Sequence, residues 1–237
     1  MSSILSKLHK WSLIWEDLLF PPHCINCGTP LVRQEEAICL HCLQSLPTMD
    51  NGLSQELIGQ RVSATVPLHQ GLALYQFDKY NSTRLLLHAI KYEAYTSLGF
   101  RMGLFMGHAW KRKENVSKPD LIVFVPMSYW KYKKRGYNQA QLLAEGMATV
   151  LGIPIDKTCL YKRWTSIVQA KSTKQQRSKN ALNSFYLSAT VSDRLKDKEV
   201  LLVDDIVTTG ATVEQCAALL LAAGASKVSI AVLAMTR

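Results

Sequence analysis

Two constellations in this 237-residue chain have the residue types and spacing of chemistry. The first is Cys24-x-x-Cys27, followed after eleven intervening residues by Cys39-x-x-Cys42. Two such knuckles can close one tetrahedral site, with sulfur about 2.3 Å from zinc. A reducing compartment argues against structural disulfides, and the doubled spacing favours metal over four unpaired thiols or a redox pair. Gly28 stands where the chain must turn back after Cys27, and His23 and His41 sit beside ligands and could compete for a position. Four protein ligands leave no open position for water, so the zinc is expected to be structural. Cys159 and Cys216 lack metal spacing and read as ordinary buried thiols.

The second constellation runs from Val200 to Val213: an apolar strand, the acids Asp204 and Asp205, then Thr208, Thr209, Gly210, Ala211 and Thr212 opening a helix. In open α/β sheets, ligands bind at the carboxyl ends of the strands. Backbone N–H groups and hydroxyls at a helix N-terminus cradle a phosphate. The two acids would repel a bare phosphate, but they suit the hydroxyls of a sugar attached to one. Helix capping alone is the bland alternative. The acid pair followed by Thr-Thr-Gly-Ala-Thr is more specific than a cap, and it favours ribose 5-phosphate recognition.

Alternating elements must position these residues. Strand-like runs fall at 72–75, 121–125, 200–203 and 228–233, with helical spacing near 81–92, 98–112, 137–150 and 211–223. That alternation predicts an α/β fold, a parallel sheet flanked by helices. Residues 1–19 read as an N-terminal helix, 20–50 as the four-cysteine zinc module, and 51–237 as the main domain, with polar residues 51–60 as a linker. Residues 157–192 hold seven Lys or Arg and no Asp or Glu, and read as a long loop or insertion near an anion site.

The balance of 28 Lys and Arg against 18 Asp and Glu gives a net charge of +10 and favours anionic partners. Bases and aromatics interleave at Tyr129, Trp130, Lys131, Tyr132, Lys133, Lys134 and Arg135, as in grooves that bind single strands. The alternative is an exposed basic loop serving a phosphate site. No run of about 20 apolar residues would span a membrane, no secretory signal is evident, and a cytoplasmic location is expected. A P-loop and a dinucleotide fingerprint are both missing.

The stretch Val203 to Thr212 resembles the 5-phosphoribosyl 1-pyrophosphate (PRPP) loop of type I phosphoribosyltransferases. With the cysteine module, the Leu18–Cys24 and Lys134–Ala140 stretches, and the series Arg163, Gln169, Arg177, Asn180, the chain resembles the ComF family of competence-associated phosphoribosyltransferase-like proteins. The match departs from the family pattern at 170–177. The resemblance implies a type I phosphoribosyltransferase-like fold. It implies that Asp204 and Asp205 bind the ribose hydroxyls as the catalytic acids and that Thr208 to Thr212 bind the 5-phosphate. Val125, Pro126, Met127 and Ser128 would form the pyrophosphate loop, with Arg163 and Arg177 reaching the same group. Magnesium would accompany PRPP as template and Lewis acid. Two functions follow as expectations: PRPP binding tied to DNA uptake and single-stranded DNA, with competence or DNA-processing proteins as partners, or an active phosphoribosyltransferase with an unidentified small acceptor.

Overall fold

The computed structural model of the chain describes residues 21–33, 35–62, 66–80, 82–93, 95–163 and 184–237. The helix expected at 1–19 lies outside these residues. In chain order the elements are α1 (Leu40–Gln44), α2 (Asn51–Val62), β1 (Leu68–Phe77), α3 (Ser82–Tyr92), α4 (Thr96–Lys111), β2 (Leu121–Phe124) and α5 (Tyr129–Arg135). They continue with α6 (Gln139–Leu151), β3 (Leu160–Lys162), β4 (Phe185–Leu187), α7 (Ser192–Leu195), β5 (Glu199–Val207), α8 (Ala211–Ala222) and β6 (Lys227–Thr236).

The expected α/β fold is present. Four strands form one parallel sheet in the order β1-β6-β5-β2. Apolar side chains at successive positions of β5 leave the sheet on opposite faces, the period of two that a strand imposes. Leu201 and Val203 join α3, α4, α6 and the cysteine module in one core, whereas Val200 and Leu202 join α2 and α8 in the other. Burial on both faces explains why β5 and β6 read as continuous apolar runs. On the first face α4 and α6 cross closely. A Cβ on Gly103 would lie 2.2 Å from the Leu143 carbonyl oxygen, and one on Gly146 equally close to that of Phe100.

Three expectations need correction. Residues 51–60 are not a linker but the body of α2. The Asp50 carboxylate accepts from the N–H groups of Gly52 and Leu53 at 2.8 and 3.0 Å, which caps the helix. Ser54, Ile58 and Val62, four residues apart, are its buried stripe, and Ile58 packs where β1 has Gly71. The flanks of the presumed 157–192 loop are also ordered. β3 and β4 pair antiparallel, and Tyr161 and Tyr186 stack across the pair at 5.5 Å. Residues 164–183, including Gln169, Arg177 and Asn180, lie outside the described residues. Finally, Tyr129–Arg135 is a helix rather than a loop, and none of its residues is buried. Its last turn carries Lys133, Lys134 and Arg135 against the negative end of the helix dipole, and Gly136, at φ +82°, ends it. No helix among the described residues is long and apolar enough to cross a membrane.

Candidate functional site

The four module cysteines converge: their Sγ atoms all lie within 4.8 Å of one another. Cys24, Cys39 and Cys42 are buried and Cys27 is exposed. Gly28 makes the turn at φ +71°, its N–H donating to the Cys24 carbonyl at 2.9 Å. Backbone N–H groups of Cys39 and Cys42 point at the sulfurs of Cys24 and Cys39, both at 3.4 Å, and the Asn26 amide donates to Cys42 Sγ at 3.2 Å. These donors favour thiolates, and the set fits a divalent soft cation. The Cys27 thiol is drawn down to about 6, chiefly by hydrogen bonding with the Thr29 hydroxyl. His23 and His41 are exposed and stand outside the cluster. The Ser82 hydroxyl donates to Asn26 Oδ1 at 2.8 Å, which ties the knuckle to the first turn of α3. Cys159 and Cys216 are fully buried, as expected, and burial pushes Cys159 up to about 12.

The acid pair lies inside β5 rather than just past it. β5 stays paired with β6 as far as Val207, but its ladder with β2 stops at Val203. The acids therefore stand just past the point where the ladder with β2 ends. Alternation sends them to opposite faces. Asp205 follows Val203 toward α3, and Lys91 of α3 places its ammonium 2.5 Å from Asp205 Oδ2. Asp204 follows Leu202, yet its carboxyl still interacts with the Asp205 side chain and with the charge of Lys91. Its Oδ1 accepts the Asp205 N–H at 2.8 Å. Burial, and then the charge of Asp205, push the Asp204 carboxyl well above the usual range. Burial and nearby Lys131 hold the Lys162 ammonium below its ordinary value.

After β5 the chain folds round a small hollow lined by residues 206–213. Thr208, Thr209, Ala211 and Thr212 are exposed on it, and Gly210 is buried beneath them as the N-cap of α8. Gly210 has φ +85°, and a Cβ there would sit 2.7 Å from the Arg61 carbonyl oxygen, so only glycine fits. The end of α2 thus presses on the loop from behind. The Arg61 guanidinium donates to the Thr236 carbonyl at 2.6 Å, and the Thr236 hydroxyl donates to the Thr208 carbonyl at 3.3 Å.

Val125 to Ser128 follow β2 directly. The Val125 N–H donates to the Val203 carbonyl at 2.9 Å. The Asn138 amide donates to the Val125 carbonyl at 3.0 Å, while its Oδ1 caps α6 by accepting from Ala140. Pro126, Met127 and Ser128 are half-buried at the start of α5. The basic-aromatic stretch divides. Lys131, Lys134 and Arg135 line an open cleft of about 370 Å³ together with Lys91, Tyr92 and Tyr137. Tyr129, Trp130, Tyr132 and Lys133 are exposed and do not line it. Arg163 is exposed just past β3, its guanidinium 5.8 Å from the Tyr186 ring centre on β4. Arg177 lies outside the described residues.

This arrangement can be set beside known proteins. A DNA utilization protein, YhgH, of Escherichia coli O157:H7 is 31% identical over 211 residues, covering 87% of this chain and 81% of its own. The chain belongs to the ComF family. Competence protein F of Haemophilus influenzae is 26% identical over 88% of this chain and 82% of its own length. Competence protein ComFC of Bacillus subtilis is 25% identical over 85% and 72% respectively. Residues 137–237 match a phosphoribosyl transferase domain and residues 15–53 a double zinc ribbon domain. The ribbon match and the converged thiols make the knuckle of this ComF protein a structural zinc site.

Two parts of this ComF site carry no sequence signal of their own. Lys91 sits in a helical run as an ordinary polar-face lysine and reaches Asp205 only because α3 packs over the sheet. Arg61 belongs to a segment that reads as linker, and it touches the Gly210 turn only because α2 is a helix.

Proposed function

We propose that this ComF protein binds a 5-phosphorylated ribose of the PRPP class and acts in DNA uptake or utilisation, handling single-stranded DNA. The observation that carries the reading is the buried Asp204–Asp205 pair standing just past the end of β2 and immediately before a hollow of exposed hydroxyls closed by the left-handed Gly210. A carboxylate pair accepts from a diol, and the hollow's N–H groups and hydroxyls donate to a phosphate. The hydrogen bond from the Val125 N–H to the Val203 carbonyl, just before the acids, supports the Val125–Ser128 loop as the receiver of a group on the ribose anomeric carbon.

Magnesium fits as part of the ligand. The four thiols are the one group of three or more Cys, His, Asp or Glu that could hold an ion among the described residues. Asp204 and Asp205 therefore lack the further acidic donors of a free-standing cation site. A magnesium ion chelated by the pyrophosphate would supply charge neutralisation there. The names of the curated relatives support the tie to DNA. The exposed aromatics and cations of α5 support contact with a single strand.

An active transferase is the second reading, favoured by the cleft of about 370 Å³ next to Asp205. Its volume matches a small planar acceptor. In that case the acids and the phosphate loop would orient the ribose, and cations would stabilise the departing pyrophosphate.

Calorimetric titration with PRPP and magnesium, with and without a single-stranded oligonucleotide, tests both. Binding of PRPP that the oligonucleotide alters supports DNA handling through this site. Binding of PRPP that the oligonucleotide leaves unchanged turns the search to small acceptors and pyrophosphate release. Replacing Lys131, Lys133 and Lys134 with Ala is expected to weaken oligonucleotide binding and flatten its salt dependence. Equal affinity and slope in both proteins would remove α5 from the DNA reading.

A further inference from the structure

Lys91 occupies the very carboxylate that a ribose hydroxyl would need. Its ammonium stands 2.5 Å from Asp205 Oδ2, and the side chains are only 22% and 7% exposed. Asp205 Oδ2 has no further donor among the described residues, so Lys91 is its one partner there. A ribose hydroxyl that bonds this oxygen must therefore replace the lysine as its donor. Lys91 also belongs to a second place. It lines the neighbouring cleft with Lys131, Lys134 and Arg135, and among the described residues no acid lines that cleft.

The backbone under Lys91 is pinned. The Tyr137 hydroxyl donates to the Ile90 carbonyl at 2.6 Å, and the Arg135 guanidinium lies 5.0 Å from the Tyr92 ring centre. The lysine side chain, by contrast, is a flexible four-carbon stem with three rotatable donors. Changes at its own torsions can carry the charge from Asp205 to the cleft while α3 stays in place.

We infer that Lys91 is an internal counter-ion that ribose hydroxyls displace from Asp205, and that the freed ammonium then pairs with an anionic group entering the cleft. This inference rests on the ribose 5-phosphate reading above. It assigns Lys91 a positioning role that favours ligands carrying a second anionic group beyond the 5-phosphate. A ribose 5-phosphate alone must expel the lysine and gives it no new partner. A ligand with a pyrophosphate on the anomeric carbon gives it one.

Amine acylation of the wild-type chain, read by mass spectrometry, tests the exchange directly. Lys91 is expected to react slowly in the free protein, several-fold faster with ribose 5-phosphate bound, and slowly again with PRPP and magnesium bound. Asp205→Asn is expected to raise its reactivity without any ligand. The variant Lys91→Met is expected to bind ribose 5-phosphate more tightly and to lose roughly tenfold or more of the preference for PRPP over ribose 5-phosphate, the worth of a lost hydrogen bond between charged groups. A merely structural lysine would instead weaken both ligands by the same factor. That result, or Lys91 reactivity unmoved while calorimetry shows ribose 5-phosphate bound, would overturn the inference and leave the ribose reading intact. If Lys91→Met does not fold, the wild-type acylation pattern decides alone. If the wild type binds neither ligand, the ribose reading falls and the inference falls with it.

Discussion

The two ends of β5 carry the same chemical class of residue under opposite electrostatics. At the amino end Glu199 pairs with Lys227 of β6 at 2.5 Å, and its N–H donates to the Asp120 carboxylate at 2.9 Å. The hydrogen bond from Lys227 is the main cause that holds the Glu199 carboxyl below its ordinary range. At the carboxyl end two adjacent acids are buried, and Asp204 is pushed up by burial and by its neighbour's charge. The amino end is arranged for stability. The carboxyl end holds charge where the fold alone would not choose it, which is what a binding site requires.

The largest effect is expected from the support beneath the carboxyl end. The zinc knuckle bonds to α3 through Ser82 and Asn26, and its buried residues share a core with α3 and α4. Cys24→Ser is expected to lose zinc, because metal binding and folding of such a module are coupled. A loss of several kcal/mol would lower the melting temperature by about 10 °C or more. Metal analysis and calorimetry check this. Since Glu199 and Lys227 lie away from the knuckle, the disruption should fall on the Lys91–Asp205 end first, readable by hydrogen exchange.

Gly210→Ala comes next. A Cβ at φ +85° placed 2.7 Å from a backbone oxygen must move the loop. The cost is expected at roughly 1–3 kcal/mol, with ribose 5-phosphate affinity lost tenfold or more. Denaturant unfolding and calorimetry measure the two parts.

Asp204→Asn is expected to stabilise the chain near neutral pH, on the order of 1 kcal/mol, while weakening ligand binding. The sign follows from linkage. A carboxyl raised in the folded state binds more protons there than when unfolded, so it costs stability as pH rises from the ordinary carboxylate range through the raised value. The melting advantage of Asp204→Asn should therefore vanish in acid and grow as pH rises.

The smallest effect belongs to Glu199→Gln, of opposite sign. Its lowered carboxyl contributes stability above the ordinary range, lost as pH falls through the lowered value. The pair is partly exposed, so the loss is expected to stay within about 1 kcal/mol. Melting curves across the acid range that show the same slope for both variants would remove the contrast between the two ends.

What could be read from the sequence followed locality. The cysteine knuckle and the 200–213 stretch are each one short segment whose spacing already implies a geometry, and the apolar runs of β2, β5 and β6 are strong enough to read as buried strands. Helix α2 escaped because its buried stripe is only Ser54, Ile58 and Val62, one of them polar, and its Asn51-Gly52 start resembles a turn. Lys91 and Arg61 escaped because their roles come from packing between elements far apart in the chain. The opposite orientation of Asp204 and Asp205 needed the length of β5, and sequence reasoning stopped the strand at Val203 where the ladder with β6 runs on to Val207.

The most direct test of the central claim is calorimetric binding of PRPP with magnesium to the wild type and to the double variant Asp204→Asn, Asp205→Asn. The account predicts saturable binding to the wild type and none to the double variant, with zinc content and circular dichroism unchanged. Equal affinity in a folded double variant would contradict it and place the ligand elsewhere.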